Sequence, residues 1–119
     1  MIYKGTVLNV ADNSGAKKVR CFNMGSLQGG AEVGMIIKIS VIDAEPNAKV
    51  KSGDVYNAVI VRTKGIINRK NGVSLKYSDN AAVLINEKNE MIGTRVLGCV
   101  ARESGSVNAK ITSKALKVY

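Results

Sequence analysis

The segment from Ala58 to Leu84, AVIVRTKGIINRKNGVSLKYSDNAAVL, constrains the fold more than any other stretch of the chain. Val59, Ile60 and Val61 form a β-branched run suited to a buried strand, and Asn71-Gly72 is a dipeptide that takes the positive φ angles of a type I′ turn. After that turn Val73, Leu75 and Tyr77 alternate with Ser74, Lys76 and Ser78, which predicts a strand with one face on a core and the other in water. The reading is a hairpin. Between Asp54 and Asp79 there is no acidic residue, while Arg62, Lys64, Arg69, Lys70 and Lys76 all fall in that window. A projecting ribbon therefore carries cations uncompensated in sequence. Lysine on strand edges also blocks sheet-to-sheet aggregation, so a solvated hairpin face is the plain alternative to a binding one.

Along the chain, Thr6 to Val10 predicts a first strand, closed by the turn residues Ala11-Asp12-Asn13-Ser14-Gly15, and Lys17 to Met24 predicts its return. Backbone N–H groups and the Asn13 or Ser14 side chains of that turn could bond phosphate or sugar oxygens, with Lys17, Lys18 and Arg20 supplying charge. Equally, Asp12 and Asn13 stabilise an Asx-type turn, and the two roles are compatible. Gly25 to Gly34 is a glycine-rich connector without the GK[ST] ending of a phosphate-binding loop. Met35 to Ile42 predicts a third strand, largely apolar on both faces and so central, ended around the chain's one proline, Pro46. Val55 to Thr63, Val73 to Tyr77, Ala81 to Ile85 and Gly93 to Glu103 supply the remaining strand patterns. From Ser104 onward β propensity fades into a basic segment with at most one or two short helical turns, since a glycine such as Gly105 costs a helix about 1 kcal/mol relative to alanine. Short strands, glycine turns and scarce helix predict a mainly β chain, a small closed barrel of about five strands that leaves no open edge.

The chain has 119 residues, the size of one domain, and its net charge of +9 coexists with 45% hydrophobic residues, so a core lies beneath a basic surface that suits polyanions. No apolar run approaches the roughly 18 residues of a membrane span, and the N-terminus enters a strand pattern too soon for a signal peptide. Cys21 and Cys99 stand far apart in apolar strand patterns, outside any CxxC or Cys/His cluster, and are read as buried free thiols; no metal or other cofactor is expected. There is no histidine to act as acid, base or ligand, and Asp43 and Glu45 sit at a proline turn with no nucleophile beside them. The chain is read as not an enzyme. With aromatic residues at 4% and no RNP motif, base stacking has little material, and lysine-rich surfaces favour phosphate contacts that position a protein on folded RNA.

The spacing in the opening segment is specific: a small residue, three aliphatics, nine residues, Asn71-Gly72, four residues, Tyr77, two residues, Asn80, two residues, Val83-Leu84. It resembles the signature segment of the large-subunit ribosomal protein family numbered fourteen, and ADNSGAKKV, KVKSGDV, GTRVLG and ARE extend the resemblance over nearly the whole chain. The resemblance implies one β-barrel domain over residues 1–119, five-stranded, with a projecting β-ribbon and a short helical C-terminal region. It implies a structural constituent of the large ribosomal subunit that binds large-subunit rRNA, lies on the intersubunit face and helps bridge to small-subunit rRNA. Implied neighbours are the large-subunit proteins numbered three and nineteen, and a ribosomal silencing factor that blocks subunit joining. Thr94 and Arg95 match that factor or bridge face, as do Lys110 and Ser113 in its C-terminal part. The glycine-rich loop and the ending Lys114 to Tyr119 depart from the family pattern. A free OB- or SH3-like nucleic-acid-binding module outside the ribosome is the alternative. Abundant Asn, Lys and Ile favour a mitochondrial or other organelle ribosome, with the bacterial cytoplasm as the other setting.

Overall fold

The two strands that flank the cationic segment are buried on both faces, and the rest of the architecture follows from what covers them. The computed structural model describes residues 2–23, 30–46, 48, 50–68, 70, 72–106, 109–115 and 117–118, with the backbone alone at 23, 67, 106, 109 and 117. Its elements in chain order are β1 (Val7–Val10), β2 (Ala16–Asn23), β3 (Ile36–Ala44), β4 (Val55–Arg62), β5 (Ile67–Asn68), β6 (Ser74–Leu75), β7 (Ala81–Ile85), β8 (Cys99–Val100), a 3-10 helix (Arg102–Ser106), α1 (Ala109–Lys114) and β9 (Lys117–Val118). The chain is mainly β, as expected. β1, β2, β3, β4 and β7 close a barrel in that order. Within the barrel every pairing is antiparallel except the closing one, where Asn9 and Val10 of β1 lie parallel to Ala81 and Ala82 of β7.

Leu8, Val19, Cys21, Ile37, Ile39, Val41, Ala58, Ile60, Ala82 and Leu84 fill the barrel interior. A second apolar layer lies outside it. Val59, Val61, Ala81, Val83 and Ile85 point away from the interior and are covered by Val96, Val100 and Ile111, with Met91, Ala115 and Val118 at the margin. The unbroken apolar runs of β4 and β7 thus reflect burial on two sides, by the barrel and by the C-terminal segment laid over it.

β3 is central, between β2 and β4, but not because both faces are buried. Its outer face presents Lys38 to solvent and leaves Ile36 and Ile42 each 39% exposed. The strand expected over Gly93 to Glu103 is also corrected. Residues 92–94 bend, Val96 makes a single bridge to Asp12, β8 is two residues long, and Arg102 to Ser106 coil into the 3-10 helix. Gly98 has φ +76°, a left-handed conformation outside the regular strand region, and it splits the run. At the C-terminus, Ser104 donates its hydroxyl to Ala101 O at 2.7 Å inside the 3-10 helix, and α1 has six residues.

A hairpin is present, but its first arm is β5 and not the Val59–Val61 run, which pairs with β3 and β7, and its arms are shorter than the sequence pattern. β5 and β6 pair through Ile67 with Leu75 and Asn68 with Ser74. Leu75 and Tyr77 are half-buried while Ser74, Lys76 and Ser78 are exposed, as the alternation requires, but Val73 is 48% exposed. Gly72 has the expected positive φ, +84°; Asn71, Met24 and residues 25–29 of the glycine-rich connector lie outside the described residues.

Candidate nucleic-acid and partner interfaces

The ribbon leaves the barrel at the end of β4 and is pinned at its neck. Thr63 is buried, its carbonyl accepts the Tyr77 N–H at 3.2 Å, and the Lys64 N–H donates to Asn80 Oδ1 at 2.8 Å. Farther out Ser74 Oγ bonds Asn68 Oδ1 at 3.0 Å across the two strands. These bonds use the backbone of Lys64 and leave its ammonium in solvent. Lys64, Lys70 and Lys76 are all exposed on this narrow projection, and none carries an ion pair among the described residues. Arg69 lies outside the described residues.

Arg62 differs from the other cations of the segment. Its side chain is 16% exposed, and its guanidinium is clasped between two parts of the chain. Nη1 donates to Cys99 O at 3.2 Å and Leu97 O at 3.4 Å, and Nη2 reaches Asp79 Oδ2 at 3.5 Å. Nε stands 3.3 Å from Asp79 Oδ1, close enough for an ion pair but poorly aligned for a hydrogen bond. Asp79, one residue beyond the acid-free window, therefore neutralises Arg62. The carbonyls of Leu97 and Cys99, which a longer last strand would need as ladder acceptors, are turned to Arg62 instead.

The N-terminal turn carries charge outside and a buried carboxylate inside. Lys17 and Lys18 are adjacent, so regular pleating would send them to opposite faces, but the register shifts there against β3 and both are exposed, with Arg20. Lys18 lies opposite Asp43 of β3. Asp12 is 4% exposed; its Oδ1 accepts from Ser14 Oγ at 2.6 Å and Ser14 N at 3.1 Å, and its Oδ2 from Leu84 N at 3.0 Å. The Asx turn forms, and it takes the Ser14 side chain inward, 5% exposed. Burial pushes the Asp12 carboxyl above its ordinary range, against the pull of the bonds from Ser14 and Leu84. With its folded value raised, Asp12 takes up a proton in the folded chain while the unfolded chain is still ionised, so acidification through that window favours folding and the group weighs against folding above it. The urea-unfolding stability of the wild type is therefore expected to gain on that of Asp12→Asn as pH falls from about 7 to about 4. A wild type that loses ground to Asp12→Asn on acidification would show the three hydrogen bonds outweighing burial.

Asn13 turns toward the segment expected to form the partner face. Its Oδ1 accepts from Thr94 N at 2.7 Å and Arg95 N at 3.0 Å, and its Nδ2 donates to Thr94 Oγ1 at 2.8 Å. Thr94 O in turn accepts Lys114 Nζ of α1 at 3.1 Å. Lys110 precedes Lys114 by one helical turn, and Ser113, exposed beside it, donates to Lys110 O at 3.0 Å. Thr94, Arg95, Lys110 and Ser113 are thus joined to one support that also contains Asn13. The junction is tight: a Cβ on Gly93 would lie 2.8 Å from Asn13 Oδ1 and 3.2 Å from both Asp12 Cβ and Ser14 N. Gly93→Ala is expected to cost about 1–2 kcal/mol in denaturant unfolding, because either the turn or the Asn13 amide must move. Unchanged stability would mean that the 93–95 turn shifts freely.

Sequence reasoning did not single out Asp79, Lys114, Gly93 or Gly98, because each acts through a distant partner. Asn80 was visible as part of the spaced pattern, though not as the neck bond to Lys64. Asp43 and Glu45 do not converge on a nucleophile: Asp43 faces Lys18 in the sheet register, and the Glu45 N–H donates to Gly15 O at 2.8 Å. Cys21 is buried in the barrel interior as expected, whereas Cys99 is only half-buried beside the Arg62 clasp, and neither is in a disulfide among the described residues.

A closed barrel with an exposed cationic ribbon and a second exposed cationic set on β2 defines the class of small basic β-barrels. The family model for ribosomal protein L14p/L23e matches residues 1–119, the whole chain, and the chain belongs to that family. It is accordingly a structural protein of the large ribosomal subunit, a family of proteins that bind rRNA and neighbouring large-subunit proteins.

Proposed function

We propose that this chain anchors on large-subunit rRNA through two cationic sets, Lys64, Arg69, Lys70 and Lys76 on the ribbon and Lys17, Lys18 and Arg20 on β2, and that it turns Thr94, Arg95, Lys110 and Ser113 toward the small subunit. The observation that carries this reading is the ribbon, where Lys64, Lys70 and Lys76 are exposed on a projection whose neck is held by backbone bonds. Such cations meet phosphates and position the protein, and shape supplies specificity. Arg62 is left out of the contact set because Asp79 and two carbonyls hold it. Ser14 is left out because its hydroxyl belongs to Asp12. The face around Arg95 reaches small-subunit rRNA across a bridge, and a silencing factor would compete for it; the proteins numbered three and nineteen flank the barrel. The single domain catalyses nothing. Its Asn-, Lys- and Ile-rich composition favours an organelle ribosome, mitochondrial first, over a bacterial one.

Sedimentation of a native lysate at low and high salt, probing each fraction for this protein and for large-subunit RNA, tests the reading. Retention on the large subunit through a high-salt wash is the expected result. Migration as a free small protein would replace the ribosomal role with that of a free nucleic-acid-binding module. Fractionating organelles before lysis assigns the compartment.

A further inference from the structure

Asn13 looks from sequence like a phosphate or sugar contact, yet three of the four hydrogen bonds that its amide can make go to the 93–95 turn. The turn that holds Asn13 is fixed separately, by Asp12 bonds to Ser14 and to Leu84 of β7. From the other side, Lys114 of α1 takes the Thr94 carbonyl, and Gly93 lies too close to Asn13 Oδ1 to carry a side chain. Arg95 itself is exposed. Its backbone is thus set by the N-terminal turn, while its guanidinium is left to a partner.

We infer that Asn13 is a positioning residue for the Thr94–Arg95 face rather than an RNA contact: its amide fixes the direction in which Arg95 leaves the surface beside α1. The inference rests on the reading that this face meets the small subunit. A guanidinium grips a phosphate through paired N–H donors in a planar fork, which makes it sensitive to its direction of approach. Aspartate can replace the asparagine in this role, since a carboxylate accepts from both N–H groups and the Thr94 hydroxyl can rotate to donate. Alanine cannot.

The test uses large subunits in which Asn13→Ala, Asn13→Asp or Arg95→Ala replaces every copy of the chain. Their association with small subunits is followed by light scattering. The purified variants are assayed for amide exchange at Thr94 and Arg95 and for affinity to deproteinised bacterial large-subunit rRNA. Asn13→Ala is expected to speed exchange at both amides by roughly tenfold or more while rRNA affinity stays within roughly twofold. Subunit association weakens as it does in Arg95→Ala. Asn13→Asp restores both amide protection and association, which separates positioning from a general loss of stability. If Asn13→Ala instead weakens rRNA binding as Lys18→Ala does and leaves association intact, Asn13 is an RNA contact and the inference is wrong. If Arg95→Ala leaves association unchanged, the bridge reading of the face fails and the inference falls with it. If Arg95→Ala weakens association and Asn13→Ala does not, the inference alone fails.

Discussion

Replacing Arg62 by methionine is expected to destabilise the chain by about 2–3 kcal/mol in urea unfolding and to leave the salt dependence of rRNA binding as it was. Methionine keeps most of the apolar stem, so the loss falls on the guanidinium's partners. Two of those bonds are long, 3.4 Å to Leu97 O and 3.5 Å to Asp79 Oδ2, the Nε contact at 3.3 Å is poorly aligned, and each contributes little by itself. The cost lies in what they leave behind. Asp79, 34% exposed, loses its cation, and the carbonyls of Leu97 and Cys99 lose a donor in a segment packed on β4. Solvent at Asp79 keeps the loss below that of breaking a fully buried pair. Lysine at 62 should recover less than half, because one ammonium cannot span Asp79 and two carbonyls. Gly98→Ala should produce the same defect from the opposite side: its Cβ would stand 2.5 Å from Arg62 Nη1, on a residue at φ +76°. The two substitutions together should cost less than their sum, since each removes the same clasp. A loss below about 0.5 kcal/mol would reduce the clasp to a solvated pair, and a shallower salt slope would return Arg62 to the RNA-contact set.

Arg62 also shows where sequence stops informing the site. Five cations in an acid-free window make a sound argument for a basic ribbon, but charge balance is settled in space. The compensating acid stands 17 residues away, just past the window's edge. Asn13 is the same case at longer range, its amide meeting Thr94 across 81 residues. By contrast, the barrel was legible because its evidence is local. Alternation at Leu75 and Tyr77, apolar runs at 58–61 and 81–85, and turn residues at 11–15 each act within a few positions. Ile36 and Ile42 mark the limit of that logic. Their apolar side chains suggested a doubly buried third strand, whereas the C-terminal segment covers β4 and β7 and leaves the outer face of β3 in solvent. An apolar face permits burial, but only a neighbouring element supplies it. The last strand was misread for a related reason, since nothing in GTRVLGCVARE says that its carbonyls will be taken by a side chain of another strand.

Substituting Lys64, Lys70 and Lys76 together by alanine is expected to lower affinity for large-subunit rRNA by about two orders of magnitude near physiological salt and to flatten the log–log salt slope by about 2 to 3. Each phosphate contact contributes roughly 0.7 to 0.9 to that slope, so three contacts suffice for the change. The fold should not suffer. The neck depends on the Lys64 N–H to Asn80, the Tyr77 N–H to Thr63 and the Ser74 bond to Asn68, none of which uses a lysine ammonium. Thermal unfolding should therefore match the wild type, the reverse of the Arg62→Met pattern, and the pair of variants separates a cation that holds the chain together from cations that hold it to RNA. The separation matters because a destabilised protein also binds less, whereas the salt slope counts ions released and does not change merely because fewer molecules are folded. Arg69→Ala with Lys70→Ala should show the same flattening at smaller size. If the triple variant keeps its slope, the ribbon lysines are solvated. The anchoring then passes to Lys17, Lys18 and Arg20, whose exposure where β2 is bulged against β3 offers a second place to meet phosphate.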